Sequence, residues 1–175
     1  MNPINTADYI NHCQSPLGTI TLASDGQRLT GLWFENQKYF GSSLSGTEDP
    51  IEKALPVFDQ TKQWLDLYFN GLQPDFTPSL NLRGTAFRQS VWLLLAQIPY
   101  GQTSTYGEIA ALVAKEKGLS RFSAQAVGQA VGHNPISLII PCHRVVGANG
   151  SLTGYAGGLE RKDWLLKLES AATHC

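Results

Sequence analysis

Residues 105–135 read "TYGEIAALVAKEKGLSRFSAQAVGQAVGHNP", and this stretch decides the fold of the second half of the chain. Thr105 and Glu108 have the spacing of a capping box, which predicts a helix beginning there. A second, shorter helix is predicted over 123–132, after a somewhat long turn. The side chains predicted to face the core are Ile109, Leu112 and Val113 in the first helix and Ala124, Val127 and Val131 in the second. Two helices in this order predict a helix-turn-helix, which suits DNA binding but also occurs as plain helix packing.

Just beyond this helix pair, residues 137–147 read "SLIIPCHRVVG", a cysteine inside an otherwise apolar, β-branched run. The run predicts a buried strand that ends at Cys142. Free cysteines are often inert core residues, and that is the plainest interpretation. His143 and Arg144 favour another one, because burying them is costly without a purpose, and a base or a cation beside a thiol promotes the reactive thiolate. The pattern therefore favours a cysteine nucleophile.

Residues 1–83 predict a separate N-terminal α/β domain with a structural role. The segment 9–36 alternates short β-rich runs with two turn signals, which predicts an antiparallel meander. Residues 49–52 have the pattern of a helix start, with proline in the first turn and a capping glutamate. Pro56 predicts a second helix start, and Gly71 is placed to end that helix.

The C-terminal half, residues 84–175, is predicted to be a helical domain. Residues 72–84 carry two prolines and no helical period, so they are expected to cross from one domain to the other. Apolar residues at helical spacing over 87–98 predict a first helix that Pro99 ends. The expected fold class is α+β, in which a small antiparallel sheet with a helix precedes a helix-turn-helix domain.

Composition excludes several classes of protein. With 42% hydrophobic and 15% charged residues among 175, the chain is predicted to be globular and not disordered. It has no apolar run of membrane-spanning length and no secretory pattern at its N-terminus, so we expect a cytoplasmic protein with reduced thiols. Its three cysteines and four histidines form no zinc-binding pattern, so no metal site is expected. No pattern indicates oligomerisation, so a monomer is expected.

Charge is divided unevenly along the chain. Residues 1–83 have a net charge of −4, whereas residues 84–175 have a net charge of +3. An asymmetry of this kind suggests that the C-terminal half meets an anionic partner.

Five motifs of the C-terminal half together resemble the O6-alkylguanine-DNA alkyltransferases, also called methylated-DNA–protein-cysteine methyltransferases. They are "GTAFRQSVW" (84–92), "IPYGQTSTYGEIA" (98–110), "AVGQAVGHNP" (126–135), "PCHRV" (141–145) and "GYAGGLERKDWLLKLE" (154–169). The resemblance implies a ribonuclease-H-like N-terminal sheet with a helix, and a C-terminal domain whose short strand carries the cysteine. It also implies a DNA repair protein that moves an alkyl group from guanine O6, and less often thymine O4, irreversibly to Cys142. Each molecule would act once, without a cofactor.

The resemblance also implies a role for each residue around the cysteine. His143 would take the thiol proton through a water, and Glu169 would hold His143 and balance its charge. Tyr106 would supply a proton or hydrogen bond to the leaving guanine, and Lys162 would lie near the substrate and the thiolate. Asn134 would join the second helix to the cysteine segment. The residue patterns alone leave plainer interpretations open: a core-facing ring for Tyr106, a solvated helix face for Lys162 and an ordinary loop for Asn134.

On the DNA side, the resemblance implies that the second helix enters the minor groove and that the damaged base is extruded into a pocket. Many members of the family carry an arginine where this chain has Gln125. We expect Gln125 to fill the space that the extruded base leaves, and Arg121, one turn earlier, is the alternative. Ala156 stands where some members carry a serine. The implied substrate and DNA contacts are Gln125, Ala126, Arg121, Arg144, Tyr155, Ala156 and Gly157.

Two other functions stay open on the sequence alone. A noncatalytic lesion-binding protein of the same fold needs no nucleophile, so Cys142, His143 and Glu169 together argue against it. A thiol hydrolase would need repeated turnover and an oxyanion hole, for which no separate pattern is present. Transfer to the cysteine is the expected function, with double-stranded DNA containing alkylated bases as the partner.

Overall fold

The structure, a computed structural model, describes residues 7–46 and 48–173. Cys175, one of the three cysteines counted above, lies outside the described residues. The chain begins with an antiparallel meander, which confirms the prediction from the sequence. Gly18 has a φ of +107° in the first turn, a conformation that residues with a side chain rarely adopt. The three strands are β1 (Tyr9–Ser15), β2 (Gly18–Ser24) and β3 (Leu29–Phe34).

A fourth strand, β4 (Ile51–Glu52), joins this sheet, so the helix start predicted over residues 49–52 is wrong. β4 runs parallel to β1, and the sheet order is β3-β2-β1-β4. The backbone N–H of Ile51 donates to the carbonyl of Asp8 at 2.9 Å. The capping pattern is overridden because the open edge of β1 satisfies the backbone groups of this segment.

Helix α1 (Pro56–Phe69) contacts the first two strands of the sheet. Pro56 occupies its first turn, and Gly71, at a φ of +78°, follows its end, as predicted. Buried side chains of the sheet, of α1 and of the C-terminal helices form one continuous hydrophobic cluster, so the two halves of the chain share a core. The domain boundary between residues 83 and 84 stays a prediction.

The C-terminal half contains the predicted helix-turn-helix. The oxygen Oγ1 of Thr105 accepts from the backbone N–H of Glu108 at 3.1 Å, and Glu108 Oε2 accepts from the N–H of Thr105 at 2.8 Å, which completes the capping box. The helices are α2 (Ala86–Leu95), α3 (Tyr106–Glu116), α4 (Ala124–Gly132) and α5 (Leu159–Thr173), and two short parallel strands are β5 (Ser104–Thr105) and β6 (Val145–Val146).

Two of the side chains predicted to face the core are exposed. Leu112 is 44% exposed because it lies about 100° round the helix from Val113, which is buried. Ala124 is exposed because it is the first residue of α4, ahead of the stripe of Val127 and Val131 that packs on the core. Within residues 7–46 and 48–173, no helix combines the length and the apolar character needed to cross a membrane.

The segment that carries the cysteine is not a strand, which corrects the prediction made above. Residues 137–140 turn, and Cys142–Arg144 form a single turn of 3-10 helix. The side-chain amide of Asn134 accepts from the N–H of Ile136 at 3.1 Å and donates to the carbonyl of Ile140 at 2.8 Å. These bonds fold the segment back on itself, so its apolar character reflects burial and not extension.

Candidate active site

Cys142 lies on the buried side of an open pocket of about 680 Å³. The residue is only 5% exposed, and its backbone N–H donates to the carbonyl of Ile140 at 2.8 Å. Burial raises the pKa of the Cys142 thiol, while a hydrogen bond with Asn134 and the charge of Lys162 act in the opposite direction. The thiol is therefore protonated in the free protein and needs a base before it can act as a nucleophile.

His143, the residue after the cysteine, is fully buried and bonded to Glu169. Its Nε2 lies 2.5 Å from Oε2 of Glu169, whereas its Nδ1 has no hydrogen-bond partner among the described residues. Burial lowers the pKa of His143, although Glu169 acts to raise it. A neutral imidazole bonded in this way carries its proton on Nε2, so the lone pair is on Nδ1. Nδ1 is therefore the ring nitrogen that is free to accept a proton.

Glu169, on α5, is held by donors from three further parts of the chain. Its Oε2 accepts from the hydroxyl of Tyr68 at 2.7 Å, and its Oε1 accepts from the N–H of Gly101 at 3.0 Å and from Nε of Arg144 at 2.7 Å. Burial alone would raise the pKa of Glu169, but His143 and Arg144 outweigh it and lower the pKa to about 2. The carboxylate is therefore ionised and can stabilise a protonated His143.

Arg144 is not among the residues that line the pocket of Cys142, and its contact with substrate or DNA stays a prediction. Besides Glu169, its guanidinium donates to the carbonyl of Ile98 at 2.7 Å and lies 5.6 Å from the centre of the Tyr100 ring. Only 8% of Arg144 is exposed. A guanidinium bonded to a buried carboxylate and to a backbone carbonyl helps to fix the position of Glu169.

Asn134 links α4 to the cysteine segment through its side chain. It is 4% exposed, and the bonds described above tie it to Ile136 and Ile140, while its side chain also acts to lower the pKa of the Cys142 thiol. The structure thus places Asn134 within the site and not in an ordinary exposed loop.

Tyr106 and Lys162 converge on the loop that walls the pocket. Tyr106 begins α3, lines the pocket and donates its hydroxyl to the carbonyl of Thr153 at 3.2 Å. Lys162 is fully buried, and its Nζ donates to the carbonyls of Thr153 at 2.8 Å and Gly154 at 3.1 Å. Burial lowers the pKa of Lys162 to about 8. A solvated helix face is therefore excluded for Lys162, and a purely core-facing ring is excluded for Tyr106.

The residues expected on the DNA side divide into those at the pocket and those away from it. Gln125 is exposed on the first turn of α4 and lines the pocket, as do Tyr155 and Ala156 from the loop opposite. Gly157 lies behind the Tyr155 ring, where an added Cβ would come within 2.7 Å of a ring carbon. Ala126 lines a neighbouring groove on α4, and the exposed Arg121 precedes the helix, outside the pocket.

Two contributions to the site were missed by sequence reasoning. Tyr68 lies on the buried face of α1, and its hydroxyl bonds Glu169, 101 residues further along the chain. Lys38 and Tyr39 of the N-terminal half line the same pocket as Cys142. A polar hydroxyl on a core-facing helix stripe is the signal that would have marked Tyr68, because buried tyrosines need a hydrogen-bond partner.

Together, the fold and the site define a class of protein. Its members carry a cysteine nucleophile beside a buried histidine–glutamate pair, and this cysteine lies at a pocket that a helix-turn-helix lines. Two family models match the chain, one described as the ribonuclease-like domain of 6-O-methylguanine DNA methyltransferase over residues 9–83 and one as its DNA binding domain over residues 86–171. The chain belongs to the 6-O-methylguanine DNA methyltransferase family.

Relatives with known names agree with this assignment. A methylated-DNA–protein-cysteine methyltransferase of Mycobacterium tuberculosis is 46% identical over 157 residues, which cover 90% of this chain and 89% of the relative. One of Haemophilus influenzae is 42% identical over 165 residues, covering 94% and 87%. The crystal structure of Mycobacterium tuberculosis OGT in complex with DNA is similar at a TM-score of 0.76, with 44% identity and 94% of each chain covered.

Proposed function

We propose that this protein repairs DNA by transferring the alkyl group of O6-alkylguanine, and of O4-alkylthymine, irreversibly to Cys142, once per molecule. The observation that carries the proposal is the thiol on the pocket side of a buried relay, in which His143 Nε2 lies 2.5 Å from Glu169 Oε2. The named relatives and the similar structure that holds DNA support the same conclusion.

The transfer begins with a proton moving from the thiol of Cys142 to Nδ1 of His143 through one water. Glu169 stays ionised and stabilises the imidazolium, which in turn stabilises the thiolate. The sulfur then attacks the alkyl carbon in line with the bond to O6, so that an S–C bond forms and the C–O bond breaks. The product is a thioether, which has no route back to a thiol, and this explains a single turnover.

The electrons of the broken bond are left on the guanine, which needs a donor. Tyr106 lines the pocket, and burial raises the pKa of its hydroxyl, so the hydroxyl keeps its proton until the base takes it or shares it. Lys162 holds the carbonyls of Thr153 and Gly154 in place and adds positive charge near the thiolate. Tyr155 and Ala156 form the opposite wall of the base site.

The base reaches the pocket by extrusion from the duplex, with α4 in the minor groove. Gln125, on the first turn of α4 at the pocket, fills the space that the base leaves. Gln125→Ala is expected to slow repair of duplex DNA more than Arg121→Ala does. If Arg121→Ala abolished repair while Gln125→Ala left it unchanged, the role would belong to Arg121.

The alternatives fit the site less well. A noncatalytic lesion binder has no use for a thiol joined to a buried ionised relay, and burying such groups without a function is costly.

We also propose that the protein is a monomer in the cytoplasm, where thiols are kept reduced, because oxidation of Cys142 would remove the acceptor.

Intact-protein mass after incubation with duplex DNA that contains O6-methylguanine tests the proposal. Wild type should gain one methylene per molecule and then stop, and Cys142→Ser should gain nothing. Cys13→Ser is the matched control, because Cys13 is a half-buried thiol on β1 outside the pocket. Turnover beyond one equivalent, or no gain in mass by wild type, would contradict the proposal.

A further inference from the structure

The N-terminal half supplies one edge of the active-site pocket through the turn that follows β3. The backbone N–H of Lys38 donates to the carbonyl of Ala156 at 2.9 Å, which ties this turn to the pocket loop. The buried side chain of Gln37 accepts through Oε1 from the N–H of Phe34 at 3.0 Å and from the hydroxyl of Ser137 at 3.3 Å. The turn is therefore fixed to the C-terminal half at two points and holds a defined position.

Tyr39 then stacks on the end of the DNA-facing helix. The centre of its ring lies 3.9 Å from the centre of the His133 ring, and the two ring planes are 24° apart. His133 is the residue that caps the C-terminal end of α4. Tyr39 adopts a φ of +61°, which is uncommon for a residue with a large side chain. The Nζ of Lys38 lies 5.4 Å from the centre of the same ring. Lys38, Tyr39 and His133 thus form an ordered unit that carries a cation at the pocket.

The charge around this unit suits an anion. Among the described residues that line the pocket, none is acidic, although residues 1–83 as a whole carry a net charge of −4. No ion pair with an acidic side chain holds Lys38 within residues 7–46 and 48–173, and the side chain is exposed. A lysine without a carboxylate partner, at the mouth of a pocket free of negative charge, is placed to receive a phosphate.

We propose that Lys38, positioned by Tyr39 and His133, binds a backbone phosphate that flanks the extruded nucleotide. This inference rests on the proposed function. A nucleotide that swings out of the duplex brings its two phosphates to the mouth of the pocket, and their charge has to be met there. The N-terminal half thereby contributes a DNA-binding residue. Although the net charge of this half is negative, Lys38 provides a positive charge at the place where DNA approaches.

The test compares Lys38→Gln with Lys53→Gln in single-turnover transfer from duplex DNA. Lys53 is the matched control because it is exposed, belongs to the same half of the chain and lies 5.3 Å from the ring of Tyr9, outside the pocket. Lys38→Gln should lower the second-order rate constant of transfer about tenfold. The slope of the logarithm of this rate constant against the logarithm of the salt concentration should become shallower by about 0.9, as expected for one lost phosphate contact. Lys53→Gln should leave both values close to those of wild type, and Lys38→Arg should restore the rate.

Uncharged methylphosphonate in place of either flanking phosphate identifies the contact. With wild type, one of the two substitutions should slow transfer about tenfold, and with Lys38→Gln the same substitution should have no further effect. The inference would be overturned if Lys38→Gln and Lys53→Gln changed the transfer rate equally. It would also be overturned if each methylphosphonate slowed Lys38→Gln by the same factor as it slows wild type. Absence of transfer by wild type from unmodified DNA would instead contradict the proposed function itself.

Discussion

Replacing Tyr68 by phenylalanine isolates the part that the N-terminal half plays in the relay. Tyr68 is fully buried, and its hydroxyl donates to an ionised carboxylate at 2.7 Å. A hydrogen bond to a charged group contributes about 1.5–3 kcal/mol to the free energy of unfolding. Phenylalanine fills the same space, and Glu169 keeps donors from Gly101, His143 and Arg144, so no charge is left unpaired. The expected destabilisation of Tyr68→Phe is therefore about 1.5–3 kcal/mol.

Thermal unfolding followed by circular dichroism measures this loss. For a chain of this size, the loss corresponds to a fall in Tm of roughly 3–12 °C. The control is Tyr100→Phe, because the Tyr100 hydroxyl is buried without a hydrogen-bond partner among the described residues, so its removal should leave Tm unchanged or raise it. Transfer by Tyr68→Phe should be slower than by wild type but not abolished. A Tm equal to that of wild type, or an equal fall in both variants, would refute the argument.

Three other perturbations test the relay and the pocket loop. Glu169→Gln leaves the buried Arg144 without its carboxylate, so it should lower the free energy of unfolding by about 3–5 kcal/mol in urea titrations and abolish transfer. Acidification should lower the free energy of unfolding first below pH 6.5, because His143 takes up a proton more readily in the unfolded chain than in the folded protein, where its pKa is lowered. A second loss should follow between pH 4.5 and about 2, as Glu169 is neutralised. A free energy of unfolding that is constant over both ranges would contradict these assignments. Lys162→Met removes the donor to the carbonyls of Thr153 and Gly154, so amide hydrogen exchange in the loop 152–158 should become faster while that in α1 stays unchanged.

Local signals in the sequence predicted most of the helices and the meander. The capping box at Thr105 and the glycine after α1 act within a few residues, and the structure contains both. The predictions failed where a partner outside the residue pattern decides the outcome. Ile51 and Glu52 pair with the edge of β1, a strand far away in sequence, instead of starting a helix. The apolar run before Cys142 folds round the side chain of Asn134, which is near in sequence, but an apolar pattern does not show which backbone groups a side-chain amide binds.

The site shows the same division. The motifs predicted that Cys142, His143 and Glu169 belong to one site, and the structure joins His143 to Glu169 beside the cysteine segment. The bond from Arg144 to Glu169 was not predicted, since sequence adjacency to the cysteine says nothing about the direction of a side chain in a 3-10 turn. Tyr68 reaches Glu169 only through the packing of α1 on the C-terminal half, a contact that no motif of either half contains.

Burial and reactivity of Cys142 are consistent with each other once the relay is included. Burial raises the pKa of the thiol and lowers that of His143, so the proton stays on sulfur in the free protein. A neutral thiol is a poor target for oxidants and for stray electrophiles, because the thiolate is the reactive form. In the proposed mechanism, the ionised Glu169 allows His143 to accept that proton when a base fills the pocket. A protein that spends its only acceptor in one reaction gains from a nucleophile that is ionised during the reaction and not before it.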